Sequence, residues 1–464
     1  MIIEKIPVNL SAIGLFEALK CEDSPIFLDS SISGPGDTPV KHGLNGHSLI
    51  FVSPFLKFSS NSRDCFRKLG HLLEKYSFNP GVGKNTGFPL GAAAGYISYD
   101  AGTFIEKIKT TSRDARSASI DAFKWPAVEF GFYDCIIVYD HFKNQSYLIS
   151  TGLPETNKSI VRERAKLRRD YFLGRICSYK PSKDSEKNPL APEKPVITSN
   201  FTKTSYTLAI NKIKRYIEQG DVYQVNLSQR YSARTNAVPW LIYKKIRQHN
   251  QVPFGAYLEF ENRHLLSFSM ERFLRINNNE VETRPIKGTA PRGKTPAEDK
   301  KNARELLSSA KNLAELLMIT DLERNDLGRV CDYGSIRVSR LHEIEKYATV
   351  FHLVSTVKGN LHKNKTHLDC LKACFPGGSI TGTPKIRAME IIDELEKTKR
   401  NVYCGCIGYF GFNKNTDFNI AIRTIHADRG RLYFNSGGGI TYDSDPAQEY
   451  EETIHKVRTF LEVL

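Results

Sequence analysis

One lysine, Lys287, stands between Ile286 and a Gly-Thr pair in the stretch VETRPIKGTAPR, residues 281–292, with Arg284 and Arg292 on its flanks. Residues up to Ile286 have the composition of a strand, and Gly288-Thr289 permits a sharp turn directly after the lysine. A lysine at the inner end of a strand loses hydration and is repelled by neighbouring cations. Both effects lower its pKa and expose a neutral, nucleophilic amine. A surface lysine on a hairpin shows the same local sequence, so its role depends on its company.

That company is acidic and glycine-rich. Glu271 follows the apolar run at 264–270, and a carboxyl in such a setting is pushed up in pKa and can act as a general acid; an exposed strand-end glutamate fits equally well locally. Glu315 lies opposite the apolar stripe Leu306, Ala310, Leu313 and Leu317 of a helix predicted over 296–322. Ser436-Gly437-Gly438-Gly439 follows a strand predicted over 432–434, which leaves backbone N–H groups to meet an anion. Pro446 then opens a last helix, on which Glu449, Glu452 and Lys456 share a face. Glu452 and Lys456 suit an i,i+4 surface pair worth about 0.3–0.5 kcal/mol. Equally, Glu452 could join Glu315 on a hard divalent cation, and oxygen ligands with waters retained suit magnesium.

These groups need strands and helices to hold them. Residues 48–51 and 135–139 are predicted strands, and 64–76 and 160–177 predicted helices. Residues 178–195 are rich in Pro, Lys and Ser, and 178–198 is expected to be an exposed linker. It separates an N-terminal region, 1–177, from a denser region, 199–464. In the latter, Tyr206, Ile210, Ile213 and Ile217 keep helical spacing up to Gly220. A strand then sets Gln224, Asn226, Ser228 and Arg230 on one face.

With 464 residues, 40% hydrophobic and 25% charged, the chain can bury a large core. Residues 1–20 lack a signal-peptide pattern and no apolar run is long enough to span a membrane. Nine scattered cysteines point to a reducing compartment, and the expected location is cytoplasmic. A net charge of +15 favours anionic partners, yet the basic residues are spread out and no nucleic-acid-reading motif is present.

Seven blocks in order, DVYQVNLSQR, RPIKGTAPRG, ELLMITDLERNDLGRV, PGGSITGTPKIRAMEII, GYFGF, IAIRT and SGGGITYDSDPAQEYEET, resemble the chorismate-utilising enzymes, which include component I of anthranilate synthase. The similarity covers 202–464. It implies an α+β fold, a two-lobed sandwich of largely antiparallel sheets with helices outside. Gln224 stands where family members that add water carry a lysine, and PIKGT replaces the PIAGT of anthranilate synthase. That combination resembles the branch that aminates chorismate to 4-amino-4-deoxychorismate, for para-aminobenzoate and folate synthesis. Anthranilate formation is the alternative. A Schiff-base lysine enzyme and a basic nucleic-acid-binding protein remain more distant readings.

The resemblance also implies roles. Lys287 would be the nucleophile and Glu271 the general acid, with Mg²⁺ on Glu315 and Glu452. Arg423 and Tyr403 would hold one substrate carboxylate, with Gly288, Thr289, His352, Gly437, Gly438, Gly439 and Lys456 completing the chorismate site. Ser30, Pro253, Phe254 and Gly255 match the family's tryptophan pocket. No glutaminase nucleophile is recognisable among the cysteines, so ammonia is expected from a separate glutamine amidotransferase subunit.

Overall fold

The computed structural model describes residues 1–30, 46–79, 81–83, 86–109, 125–181, 194–347 and 350–464. Most of the expected linker, 182–193, lies outside them. Two large sheets carry the fold, and every pairing among the described strands is antiparallel. The first runs Ile2–Lys5, Gln145–Ser150, Cys135–Asp140, His47–Phe51, Ile26–Asp29, Phe254–Phe260, Arg263–Ser269, Thr424–Asp428, Arg431–Ile440, Gln224–Arg234 and Gly382–Thr383. The second runs Ile286–Pro291, Val350–Asn360, Glu280–Arg284, Arg272–Asn277, Asn415–Ile420, Cys406–Gly411, Ala92–Ile97, Val128–Tyr133 and Leu56–Ser60.

The two sheets bury one another's inner faces. Phe51, Ile136 and Leu258 of the first meet Ala94, Tyr96 and Tyr409 of the second in one fully buried cluster. Helices cover the outer faces: Phe16 and Tyr243 sit in a core with strands of the first sheet, while Leu69 and Ile392 join one with strands of the second. This is the expected sandwich with helices outside. The boundary at 178–198 divides the sequence and not the sheets, because 1–177 contributes strands to both. Strands from distant segments can pair this way because a sheet needs only a matching ladder and a shared buried face.

Local sequence explains most elements. Cys65–Tyr76 and Lys158–Ser178 form the helices predicted over 64–76 and 160–177, and Thr202 caps Lys203–Glu218 through Ser205 N–H. The helix predicted over 296–322 is instead two, Pro296–Ser308 and Ala310–Gly328. Ser309 leaves the helical conformation and its hydroxyl accepts from Asn312 N–H at 3.3 Å, starting a new helix. The break resets the phase. Leu317, expected in the core, is 52% exposed, and Leu316, Ile319, Glu323 and Leu327 face inward instead.

Candidate active site

Lys287 sits on the Ile286–Pro291 strand, which pairs with Val350–Asn360. The strand does not end at the lysine as expected. Gly288, at φ +85°, makes a bulge between the Ile286–Val354 and Thr289–His352 pairs, and pairing resumes beyond it. A Cβ at Gly288 would also press on Asn312 and Leu306, 3.0 Å from each. The bulge turns Lys287 into a cavity of about 570 Å³ between the sheets' ends.

That cavity brings together Lys287, Glu271, Gly288, Thr289, Glu315, Tyr403, Arg423, Gly437, Gly438, Gly439, Glu452 and Lys456. Strands of both sheets supply Lys287, Gly288, Thr289 and the glycines, the helices Ala310–Gly328 and Pro446–Lys456 supply Glu315, Glu452 and Lys456, and the connections between elements supply Glu271, Tyr403 and Arg423. His352 is not in the wall. It lies 2% exposed behind it, with Nδ1 2.9 Å from Thr289 Oγ1, and burial next to Arg423 pushes its pKa down to about 3. A neutral His352 therefore orients Thr289.

Burial lowers the pKa of Lys287, and Lys456 adds to the effect, while Glu315, Glu271 and Glu452 oppose it. The flanking arginines do not contribute as expected. Arg284 pairs with Glu345, and Arg292 is held by Asp299 at 2.7 Å, so both charges are neutralised away from the amine. Glu271 is 5% exposed, and desolvation raises its carboxyl to about 7 against Ser379, Lys287 and the Ile286 N–H. At neutral pH it holds a proton about half the time. A dehydrated amine and a neutral carboxylic acid thus face one cavity, the pairing a nucleophilic substitution with general-acid help requires.

The glycine run differs from its expected form. Arg431–Ile440 is one strand through all three glycines, each paired with the Gln224–Arg234 strand, so part of their N–H capacity is spent in the ladder. Their missing side chains matter more. A Cβ at Gly438 would lie 3.0 Å from Glu449 Oε2 and one at Gly439 2.0 Å from Gln224 Nε2.

Residues 37–462 match the chorismate binding enzyme family. The chain belongs to that family. Aminodeoxychorismate synthase component 1 of Bacillus subtilis (strain 168) is 41% identical to this chorismate binding enzyme over 79% of this chain and 75% of its own. Anthranilate synthase component 1 of Acetivibrio thermocellus is 36% identical over 97% and 92%. The crystal structure of anthranilate synthase component I from Streptococcus pneumoniae TIGR4 matches with a TM-score of 0.76 and 28% identity over 98% of each chain.

In this chorismate binding enzyme both candidate cation donors, Glu315 and Glu452, line the cavity. Glu315 Oε1 is buried with no hydrogen-bond partner among the described residues, a state that a hard cation would relieve. Burial raises the Glu452 carboxyl, but Lys456, Lys311 and Lys287 outweigh it and hold the pKa below the ordinary range. Lys456 lies 2.6 Å from Glu452 Oε1. Among the described residues no three acidic, histidine or cysteine side chains converge on one point. Two carboxylates with substrate and water making up the rest is a magnesium pattern.

Several lining residues escaped sequence reasoning: Asn226, Lys311, Asn312, Ser379, Glu449 and His455. Asn226 was visible on the polar face of its strand, and Ser379 within PGGSITG, but neither sequence says what it faces. Glu449 was noted on the Glu452 face of the last helix; it is 6% exposed and accepts from Ser444 Oγ at 2.7 Å.

Ser30, Pro253, Phe254 and Gly255 meet at a separate, smaller cavity of about 60 Å³, also walled by Asp29, His47 and Asn419. It adjoins the strand that leads to Glu271: Phe254 pairs with Ser269, two residues before it. All nine cysteines are free thiols. No described helix is long and apolar enough to cross a membrane.

Proposed function

We propose that this chorismate binding enzyme aminates chorismate to 4-amino-4-deoxychorismate through a covalent adduct on Lys287. The single observation that carries the reading is the half-buried, pKa-depressed amine of Lys287 facing the protonatable Glu271 across one cavity. The aminodeoxychorismate-synthase relatives support it.

In the first step the Lys287 lone pair forms a bond to C2, the ring diene shifts, and the C4–O bond breaks. Glu271 gives its proton to the departing hydroxyl, which leaves as water. In the second, ammonia bonds to C4, the diene shifts back and the C2–N bond to Lys287 breaks. Glu271 recovers the proton shed as the added ammonia becomes a neutral amine. Ammonia enters and water leaves, and two modest barriers replace one difficult substitution.

Arg423 and Tyr403 receive the enolpyruvyl carboxylate, a planar anion that a guanidinium binds bidentately. Magnesium held by Glu315 and Glu452 would neutralise the ring carboxylate and orient the ring. Lys456 supplies a further cation beside it. Ammonia comes from a separate glutaminase component, in keeping with the "component 1" of the relatives' names. Tryptophan is the proposed occupant of the cavity at Ser30, Pro253, Phe254 and Gly255.

Anthranilate synthesis is the second reading, favoured by relatives named for it at similar identity. One incubation separates the two. The purified chain is given chorismate, Mg²⁺ and ammonium, with and without a lyase that converts 4-amino-4-deoxychorismate to 4-aminobenzoate. 4-Aminobenzoate formed only with the lyase is the expected result; anthranilate formed without it would replace the proposal with the alternative.

A further inference from the structure

The Ser379 carbonyl accepts from two donors, Lys287 Nζ and Asn226 Nδ2, each at 3.4 Å. This contact orients the Asn226 amide. Its NH₂ is spent on Ser379, and its Oδ1 is buried with no partner among the described residues. Gln224, two residues earlier on the same strand face, has a buried Oε1 that is equally unpartnered. Thr383 pairs directly with Gln224 across the ladder, and its Oγ1 is unpartnered as well.

Gly439 ties this group to the lysine. A Cβ built there lies 2.0 Å from Gln224 Nε2 and 3.4 Å from Lys287 Nζ, so the two nitrogens are no further apart than those distances combined. Buried oxygens without partners are costly unless a donor arrives. The Lys287 amine is a donor close to both amides.

We propose that Gln224 and Asn226 are positioning residues for the Lys287 nucleophile: in the reacting state their amide oxygens take the two N–H bonds of the neutral amine, replacing its long contact to the Ser379 carbonyl, and direct its lone pair into the cavity. The proposal rests on Lys287 being the nucleophile of the reaction above. Amide oxygens suit the task because they carry no net charge. The charged groups facing Lys287 are Glu271, Glu315 on its helix, and Glu452 and Lys456 on the C-terminal helix. Another carboxylate among them would hold the lysine as ammonium and remove its lone pair. An amide fixes direction and leaves that charge balance alone.

Two variants test this, read on Lys287 itself. Trinitrobenzenesulfonate labelling of the Lys287 peptide, followed by mass spectrometry across pH, gives the amine's titration midpoint and limiting reactivity. Gln224→Glu keeps the shape and adds a charge, and should raise the midpoint by about one pH unit. Gln224→Leu combined with Asn226→Leu removes both oxygens. It should slow build-up of the chorismate adduct, followed by intact-protein mass, about tenfold. Chorismate KM should stay within about threefold, since the loss is in orientation and not in binding.

Wild-type midpoint in the first variant together with a wild-type adduct rate in the second overturns the proposal. If the double leucine variant fails to fold, by circular dichroism, the isosteric glutamate decides alone: an unmoved midpoint overturns it. Labelling needs no turnover. Anthranilate as product would therefore sink the reading of function, whereas an unmoved midpoint sinks the positioning role even where amination at C4 stands.

Discussion

Lys456 Nζ lies 2.6 Å from Glu452 Oε1 and 2.9 Å from the Gly437 carbonyl, so this cavity cation is bound to one of the two candidate metal ligands. The pair crosses one turn of the last helix, and its acid is held ionised by that neighbour. The proposed divalent cation on Glu452 would compete with Lys456 for the same carboxylate.

This competition gives opposite signs for two substitutions. Glu315→Gln should weaken Mn²⁺ binding, measured by electron paramagnetic resonance without substrate, by about 100-fold. Lys456→Met should bind the ion more tightly, yet raise the chorismate KM, because a cation for the substrate is lost. Equal weakening in both variants would contradict the competition. Chelation of divalent ions should abolish activity in the parent enzyme, and added Mg²⁺ should restore it.

Lys287→Ala should lower amination by about 1,000-fold or more and abolish the adduct seen by intact mass. The strand survives, since the side chain is part-buried and its hydrogen bond to the Ser379 carbonyl is long, at 3.4 Å. Undiminished amination in a folded Lys287→Ala protein would remove the covalent route.

The pH dependence follows from Glu271 and Lys287 together. By the proposed route activity needs Glu271 protonated, which fails as pH rises through about 7, and Lys287 neutral, which fails as pH falls below its depressed pKa. A bell-shaped profile is expected, with Glu271 on the alkaline limb. Glu271→Gln should cost about 100-fold or more in kcat and remove that limb. Stability moves the same way with pH. The folded pKa exceeds the ordinary 4.5, so the acid's contribution is present below 4.5 and lost as pH rises through 7. The glutamine variant should therefore gain Tm relative to wild type at alkaline pH, and a constant difference across pH would show that Glu271 does not titrate there.

Glycine replacements should separate site from scaffold. Gly439→Ala places its Cβ against the tip of Gln224, a movable side chain, and near Lys287. It should lower kcat with little change in Tm. Gly408→Ala places its Cβ 2.1 Å from the Asp417 backbone carbonyl and 2.7 Å from the Phe418 Cα, in the middle of a ladder that cannot yield. A loss of about 2 kcal/mol is expected from denaturant titration.

His352 should be silent as an acid. With its pKa near 3 it stays neutral across the working range, so His352→Gln should leave the pH profile unchanged. His352→Ala removes the contact to Thr289 and should cost about 1 kcal/mol of stability. A profile that shifts in the glutamine variant would give this histidine a titrating role instead.

The sequence alone determined the chemistry on offer. Ordered motifs, a lysine before Gly-Thr and acids at helical spacing announce a chorismate site, because such residues are chosen by substrate and not by packing. It also settled many helix starts, where a cap such as Thr202 or Asp445 acts through its nearest neighbours. What it could not settle was every contact made across the sheets. Arg284 and Arg292 flank Lys287 in sequence, but Glu345 and Asp299 claim them, and the cation that faces the amine comes from residue 456. Ser309 reset a helix and moved Leu317 to the surface. His352 went behind Thr289, and Gln224 and Asn226 became neighbours of Lys287 only through Ser379 and the gap left by Gly439. Burial and charge pairing depend on distance in space, and distances between remote segments exist only once both sheets have closed.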